Sequence, residues 1–443
     1  MLTYFHQTLR WAVLCLAAHA LTTPAFSFSV PFPQGFIVYR QADTTYAVGD
    51  VDRTVLARSP NSAAVIQRAL DQLQQWGGGK IDVKQGRYLI NTPLRVHSQT
   101  QVSGAGKATV FMLGPDNARN EGVIFRSDST LEVTLSDFKC VGRAAADTSA
   151  AVVFDQVGFG VIRDVYASDF SGYGFWVRRN SFMCRLESNY TSGNDVAGTF
   201  IDRTLQGRGG SFAPNKLIGC ISYAEDGDAF LFYRAICQDI VGCVAYLQKG
   251  KGIYMQKSTS NLISGNRIFM GHDTGIHIES TYEMNISSNI CGWNWGHNLV
   301  LDHCVWGTVS ANEFIDAGGR KQPMYGILMR NGTKSVQVSA NALFNWWDNQ
   351  PMKGGIYEGD DCWENQITDN IINYYQDEAV VSRGDSSVAA YNLGLPHPYG
   401  SPAQGPNVPN VEPKDIKLQL SISDSRQRAE ALLKTIKTQL DLP

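Results

Sequence analysis

The chain has 443 residues, of which 43% are hydrophobic, and it carries a formal net charge of −3. This apolar content is enough to bury a large core, and the length alone would allow more than one domain. The charge is nearly balanced and no basic cluster is present, so the composition argues against a nucleic-acid partner. Glycine is abundant, with 42 residues, as a protein rich in tight turns requires.

The first 27 residues have the features of a secretory signal peptide. Arg10 precedes an apolar run over residues 11–21, and small residues follow it. We expect cleavage near residues 25–27, a secreted or periplasmic protein, and no membrane span after cleavage. A short membrane anchor is the alternative, although the apolar run is too short to cross a bilayer.

Residues 28–79 form an N-terminal segment that ends in an amphipathic helix. Residues 28–58 show no regular pattern, and Ser59-Pro60-Asn61 then begins a helix predicted over 63–76. Three glycines, Gly77 to Gly79, end it. The apolar positions of this helix fall on one face: Val65, Ile66, Ala69, Leu70 and Leu73.

Two short predicted strands follow the helix at residues 80–84 and 86–90, and the segment 101–106 comes after a turn. The stretch 59–113 resembles the opening of the pectate-lyase-like superfamily, in which a helix covers the first coil and a GGG-x-φ-x-φ-x-x-G-x-Y strand pair follows. The resemblance implies a right-handed parallel β-helix. It implies no single reaction, because the superfamily contains lyases, hydrolases, epimerases, phage tailspikes and adhesins.

A short signature that ends in Asn, Asp or Cys then returns ten times, at spacings of 23 to 31 residues. A unit of this length cannot bury its own apolar face, so the repeat predicts a solenoid. We expect its Asn and Asp residues to adopt the left-handed backbone of a sharp turn, and stacked copies to hydrogen-bond along the axis. The ten final residues are Asp137, Asp164, Asn189, Cys220, Cys243, Asn266, Asn289, Asn312, Asn341 and Asn370.

Two of these positions hold cysteine. Of nine cysteines, signal cleavage would remove Cys15 and leave eight, and export would permit disulfides. Cys220 and Cys243 nevertheless occupy repeat positions where a thiol acts as a small buried apolar group. The sequence therefore predicts no disulfide framework.

A second signature runs in step with the first and alternates apolar and variable residues, as in Gly252–Gln256, Gly275–Glu279 and Asn298–Asp302. This period of two indicates strands with one buried face. The predicted inward residues are Ile253, Met255, Ile276, Ile278, Leu299 and Leu301. The fold class is therefore all-β: a right-handed parallel β-helix of about ten coils over residues 80–395, with an N-terminal capping helix and a C-terminal helix.

The composition changes after Leu395. Residues 396–415 are rich in proline and form a predicted strap. Residues 416–443 contain an apolar periodicity that predicts a C-terminal helical tail. This helix would cover the open end of the solenoid or pack between subunits, and the second arrangement allows a homotrimer.

Stacking the coils by their signatures aligns the outward residues of successive strands at a spacing of ~5 Å. The residue that ends each strand gives one predicted column: Asp155, Arg178, Asp202, Tyr233, Gln256, Glu279, Asp302, Arg330 and Gly359. The position two residues earlier gives a second column: Val153, Trp176, Phe200, Leu231, Tyr254, His277, Val300, Leu328 and Tyr357.

The strongest chemical signal in these columns is a stacked carboxylate pair, Glu279 and Asp302. Like charges on neighbouring strands need a proton, a cation or Arg330 to be stable. A close pair suits glycoside hydrolysis, in which one carboxyl group is the nucleophile and the other has a raised pKa and acts as the acid. His277 completes the predicted catalytic group, with Asp202 and Asp228 as reserve acids for a wider spacing.

Several further side chains are predicted to bind the sugar. They are Arg178, Trp176, Tyr233, Tyr254, Gln256, Arg330, His297 and Trp295. Aromatic rings suit the faces of sugars, and cations suit anionic or hydroxyl groups. An insertion at 203–214 and the pair Trp346–Trp347 could add to the same surface. A simple ion-pair ladder is the alternative for Asp155, Arg178 and Asp202.

The predicted function is cleavage of a polysaccharide or oligosaccharide by the paired carboxylates, without a cofactor. One alternative is a polysaccharide lyase that acts by β-elimination, with Ca²⁺ held by Glu279, Asp302 and Gln256, and with Arg178, Arg330, His277 or Tyr254 as the base. Another is a non-catalytic glycan-binding or surface-assembly protein. The polygalacturonase motifs, the WIDH-type segment of pectate lyases and the DPHD motif of mannuronan epimerases are absent.

Overall fold

The computed structural model describes residues 35–142, 148–203, 214–318, 323–345 and 352–395. The predicted signal peptide, strap and C-terminal tail lie outside these residues. Trp346, Trp347 and most of the insertion at 203–214 also lie outside them.

The N-terminal segment is more regular than the sequence predicts. Strands Phe36–Gln41, Thr44–Gly49 and Val55–Ser59 form an antiparallel meander, and the first of them also pairs in parallel with Gly79–Val83. The prediction of an irregular stretch over 28–58 is therefore wrong for its described part. The short period-two pattern around Val38 and Val48, which are both buried, marks these strands.

The capping helix spans Ser62–Gln75, within one residue of the prediction. Asn61 caps its N-terminus by accepting a hydrogen bond from Ala64 N, and all five predicted apolar residues are buried against the meander and the first coil. A short helix at Pro115–Arg119 and a 3₁₀ turn at Gly106–Ala108 were not predicted. Within the described ranges, neither α-helix has the length and apolar content needed to span a bilayer.

One parallel sheet runs the length of the solenoid. It has fewer strands than the other sheet and is called the short sheet below. Among the described residues it has twelve strands, slightly more than the ten or so coils predicted, because strands at both ends lack the repeat signature. All predicted inward residues of its central strands are fully buried. Its strands are Leu94–Arg95, Val123–Asp128, Ala150–Asp155, Tyr173–Arg178, Ala197–Asp202, Asp228–Tyr233, Ile253–Gln256, Ile276–Glu279, Leu299–Asp302, Tyr325–Arg330, Gly354–Glu358 and Val380–Ser382.

The remaining strands wrap around the core as a second sheet, which has more strands and is called the long sheet below. It includes the N-terminal meander. Each coil contributes one short-sheet strand and one or two long-sheet strands, which stack in parallel on those of the next coil. Its other strands are Gly79–Val83, Gly86–Ile90, Thr100–Ser103, Thr109–Leu113, Thr134–Val141, Val161–Ser168, Arg185–Glu187, Tyr190–Ser192, Lys216–Ile218, Ile221–Tyr223, Asp239–Val241, Val244–Tyr246, Thr259–Ser264, Arg267–Phe269, Tyr282–Ser287, Ile290–Gly292, Val305–Ser310, Glu313–Ile315, Lys334–Ser339, Ala342–Phe344, Gln366–Thr368, Ile371–Asn373, Val388–Ala390 and Leu393–Leu395.

The repeated asparagines form a buried ladder, which we call the asparagine ladder: Asn266, Asn289, Asn312, Asn341 and Asn370. The side-chain oxygen of each later member accepts both the backbone N–H and the Nδ2–H of the member before it, at 2.9–3.0 Å. The predicted hydrogen bonding along the axis is confirmed. It satisfies amide groups that water cannot reach.

The predicted left-handed backbone belongs to a different residue. Asp137 and Asp164 have positive φ, but the later asparagines do not. The residue before each asparagine makes the bend instead, as Ser288 does with φ of 57° and Ala311 with 55°. The asparagine follows the bend, where its side chain points into the core and reaches the next coil.

Every cysteine in the described residues is a free thiol, and seven of these eight are buried. Cys220 and Cys243 stack in line with the asparagine ladder, as predicted, and Cys243 N donates to Asn266 Oδ1 at 2.8 Å. The solenoid is therefore held by its core and its backbone ladders, without disulfides among these residues.

Candidate functional site

The outward face of the short sheet has the register that the sequence predicts. Glu279 pairs with Asp302 in the following strand, and His277 pairs with Tyr254 in the preceding one. The whole strand-end column from Asp155 to Arg330 is in register, as is the mid-strand column two residues earlier. Six predicted site residues from four successive coils thus share one patch: Tyr254, Gln256, His277, Glu279, Asp302 and Arg330.

Glu279 is held by donors of the preceding coil. Its Oε2 accepts hydrogen bonds from the Tyr254 hydroxyl at 2.6 Å and from Gln256 Nε2 at 2.8 Å. Partial burial acts to raise the pKa of Glu279, but these two hydrogen bonds outweigh it and lower the pKa below its ordinary value. The expectation that stacking raises the pKa is therefore wrong for Glu279, which is an anion at neutral pH.

Asp302 is held by donors of the following coil. Its Oδ2 accepts from Arg330 Nε at 2.7 Å and its Oδ1 from Asn331 Nδ2 at 2.8 Å. The two stacked carboxylates are thus stabilised from opposite sides. Glu279 therefore lacks the proton that a general acid needs.

The residues predicted to hold Ca²⁺ already make hydrogen bonds with neighbouring side chains in this arrangement. Both oxygens of Asp302 already bond to donors, and Gln256 directs its amide nitrogen at Glu279. Within the described ranges, no three His, Cys, Asp or Glu side chains converge so as to hold a metal ion.

His277 is a neutral imidazole with an unpaired nitrogen. Burial and the positive charges of Lys251 and Arg330 lower its pKa to about 4, against the opposing effect of the nearby carboxylates. Its Nε2 is buried and has no hydrogen-bond partner. At neutral pH the ring can therefore accept a proton.

Tyr254 lies directly beside His277, with 5.1 Å between the ring centroids. Burial, reinforced by the hydrogen bond to Glu279, raises the pKa of Tyr254 well above its ordinary value. The phenol therefore keeps its proton. Lys251 places its Nζ 4.4 Å from the centre of the Tyr254 ring and 3.3 Å from Asp273 Oδ2.

The two reserve acids are not brought together. Asp228 begins its strand, and its Oδ1 accepts the backbone N–H of Lys251 at 2.6 Å. Asp202 ends the preceding strand, five residues or ~16 Å farther along the sheet. Burial raises the pKa of both carboxyl groups.

Trp295 and His297 flank the beginning of these strands. Trp295 is 37% exposed and stacks on His272 at a centroid distance of 4.0 Å. His297 Nδ1 instead accepts the backbone N–H of Tyr325 at 3.1 Å, and burial lowers the pKa of His297. Trp295 is therefore partly exposed, whereas the structure ties His297 to the next coil.

Toward the N-terminus the same face carries ion pairs and aromatic rings. Arg178 Nε donates to the buried Asp155 at 2.8 Å, as the ion-pair interpretation predicts, and its guanidinium stacks on Trp176 at 4.3 Å. Trp176 in turn packs against Tyr173 and against Phe200 of the next coil. Tyr233 lies between this aromatic group and Gln256 in the strand-end column.

Sequence reasoning missed several residues of the patch. Lys251 and Asp273 lie two and three residues before their strands, ahead of the alternating signature, and Asn331 lies one position beyond the predicted column. That next position also carries a row of cations that a third aligned column would have revealed: Arg179, Arg203, Arg234 and Lys257.

The comparisons with known proteins agree with this architecture. A family model described as "Right handed beta helix region" matches residues 215–372. The A-module of the mannuronan C-5 epimerase AlgE4 from Azotobacter vinelandii is similar in structure, with a TM-score of 0.62, 16% identity, and coverage of 75% of this chain and 95% of that one. No curated protein matches the chain by sequence.

Two further solved structures are similar. The surface adhesin PfbA of Streptococcus pneumoniae has a TM-score of 0.56 at 15% identity and covers 73% of this chain and 89% of its own. The tailspike of E. coli bacteriophage HK620, solved with a pentasaccharide, has a TM-score of 0.53 at 9% identity, with coverage of 76% and 72%. These likenesses establish the architecture and no particular activity. The chain is a right-handed parallel β-helix protein with the pectate-lyase-like fold.

Proposed function

We propose that this protein acts on a uronate-containing polysaccharide and cleaves it by β-elimination at the patch around His277. The observation that carries the proposal is a neutral imidazole with an unpaired nitrogen, packed against a protonated phenol and flanked by two cations. Elimination needs these parts: a base for the proton next to the carboxylate, an acid for the leaving oxygen, and positive charge near the carboxylate.

The roles follow from the chemistry of each group. Lys251 and Arg330, which also pair with Asp273 and Asp302, would neutralise the uronate carboxylate, and this makes the neighbouring C–H more acidic. After a movement that exposes its buried Nε2, His277 would accept that proton, the electron pair would form the C=C bond, and the glycosidic C–O bond would break. Tyr254 would turn its hydroxyl from Glu279 to the departing oxygen and give it the proton. Both side chains would return to their starting states by exchange with water.

Glu279 supports this assignment better than it supports hydrolysis. Its lowered pKa makes it a poor general acid, and the phenol donates to it rather than to solvent. As an anion beside Tyr254, it instead keeps the phenol protonated and oriented. The similar mannuronan epimerases and the tailspike solved with a pentasaccharide add weight to a glycan substrate.

The test is an incubation with polymannuronate, polygalacturonate and hyaluronate, with mass detection of the products. We expect products without added water that absorb in the ultraviolet. Products heavier by one water would mean hydrolysis and would overturn the elimination proposal. Parallel incubations with and without a chelator would show whether a metal takes part.

Tyr254→Phe is the matched variant for the acid. It keeps the ring beside His277 and removes only the hydroxyl. We expect it to lower kcat ~10²–10⁴-fold while KM changes little. Tyr246→Phe, on the long sheet, is the control and should leave kcat unchanged.

The substrate also implies an extracellular location. We propose that residues 1–27 are removed on export, which an N-terminal sequence of the mature protein would test. A trimer is a further proposal from the predicted tail, and the mass of the full chain in solution would test it.

A further inference from the structure

A row of four cations runs beside the proposed site, one residue beyond the strand-end column. We call Arg179, Arg203, Arg234 and Lys257 the cationic column. Backbone hydrogen bonds fix their register, because the N–H of each residue donates to the carbonyl of the strand-end residue in the next coil. These bonds measure 3.0, 2.8, 2.9 and 2.9 Å, and they place successive members ~4.8 Å apart.

The conformation at these positions gives no reason for a long cationic side chain. All four residues have a left-handed backbone, with φ between 46° and 51°. Such a backbone favours glycine or asparagine over most other residues. In other coils the same position holds Ser280, His303 or Asn331, so the turn itself forms without a charge.

The charges of the cationic column are only partly compensated. Arg179 pairs with Asp155, and Arg203 approaches Asp202 at 3.6 Å. Arg234 and Lys257 form no ion pair with a described carboxylate. They lie over the Tyr233 ring at 5.3 and 5.9 Å. All four residues are exposed. Like charges stacked on neighbouring strands repel each other, so an anion bound along the row would relieve that repulsion.

We propose that the cationic column binds successive acidic groups of a linear polyuronate. The inference rests on the proposed function and adds the position and direction of the polymer. The column ends at Lys257, whose backbone N–H bonds to Glu279, so a chain bound along it leads directly to His277. The ~4.8 Å step between strands is comparable with the length of one sugar ring, which lets neighbouring rungs meet neighbouring acidic groups.

The deciding variant is Arg234→Ser/Lys257→Ser. Serine is the residue that Ser280 already provides at this position, so the change removes two charges and no structural contact of the turn. The matched control is Arg185→Ser/Arg267→Ser, which removes the same charge from exposed positions on the long sheet. Equal unfolding free energies of the double variant and the wild type would show that the fold is intact.

Binding is measured with polymannuronate, polygalacturonate and hyaluronate, and with the carboxyl-reduced form of each polymer. We expect the wild type to bind an acidic polymer and not its reduced form. The double variant should bind about tenfold more weakly and with a smaller dependence on salt, as two exposed charges imply. The control should bind as the wild type does.

The inference would be overturned by equal affinity of the double variant and the control, by equal binding of a reduced polymer, or by no binding of any acidic polymer. Tighter binding of a single-stranded DNA oligomer of equal charge would overturn it too. Binding that depends on the column without any elimination product would disprove the proposed function alone. Elimination that does not depend on the cationic column would disprove this inference alone.

Discussion

The asparagine ladder inside the solenoid and the polar columns outside it repeat with the same coils, yet their side chains are satisfied differently. The Asn289 oxygen accepts two hydrogen bonds from Asn266, and its nitrogen donates to Asn312. On the outward face, Nε2 of His277 has no partner. Unpaired groups in the interior cost ~1–3 kcal/mol each, so the ladder pairs all of them. The outward face leaves this ring nitrogen unpaired.

The largest expected effect comes from the outward face. Leu231 and Val300 occupy the column of His277 in nearby coils, so a leucine fits there. We expect His277→Leu to lower kcat/KM ~10²–10⁴-fold, because the proton acceptor is lost. The free energy of unfolding should change by less than about 0.5 kcal/mol. Denaturant unfolding and kinetics of the same preparation check both parts, and an active variant would contradict the assignment of the base.

A substitution in the asparagine ladder should instead lower the stability of the fold. Asn289→Leu leaves the backbone N–H and side-chain amide of Asn266, the carbonyl of Ile263 and the Asn312 oxygen without one partner each. We expect the free energy of unfolding to fall by ~4 kcal/mol. Ser287→Ala, on the outward surface of the same coil, is the control and should cost less than about 0.5 kcal/mol. Similar losses for both variants would remove the contrast between interior and surface.

A buried acid, Glu225, gives a second test of the comparison between the interior and the outward face. Glu225 is fully buried and accepts hydrogen bonds from Asn194 N at 2.7 Å and Ser222 at 2.9 Å. Burial outweighs these bonds and raises the pKa of Glu225 from 4.5 to about 7. The folded state therefore binds this proton more tightly than the unfolded state does. Its contribution to stability is present below pH 4.5 and is lost as pH rises through 7.

We expect the free energy of unfolding to fall by ~3 kcal/mol between pH 4.5 and pH 8 on account of this group. Glu225→Gln should remove that part of the pH dependence, because the next coil already has an amide, Gln248, at the corresponding position. Unfolding series of both proteins at several pH values measure the difference. Parallel curves for the two proteins would contradict the raised pKa.

The smallest expected effect is on the pH dependence of the activity. Since burial and nearby cations lower the pKa of His277 to about 4, the ring stays neutral down to that pH. Activity should therefore rise with pH through a midpoint near 4 and stay level through neutrality. A midpoint near the ordinary value of ~6.5 would mean that the ring is more exposed than described or that another group is the base.

Much of this site could be predicted from the repeat in the sequence. The pairing of Glu279 with Asp302 and of Tyr254 with His277 follows from the alternating signature, because residues at equal repeat positions stack in register. The hydrogen bonds that lower the pKa of Glu279 could not be predicted, since they depend on side-chain rotamers. The meander around Val38 was missed because strands of five or six residues give a weak period. The left-handed bend was predicted at the asparagine but lies at the residue before it, because both a bend and a hydrogen-bonded ladder favour asparagine.

The uniform 23-residue coils between Cys220 and Asn312 make the solenoid modular. Removing residues 221–243 would delete one complete turn, including Arg234, and bring Arg203 next to Lys257 in the same register. The distance from the first cation to His277 would shorten by one step of ~4.8 Å. Gain or loss of a coil would thus change the length of the cationic column in whole increments, without redesigning the core.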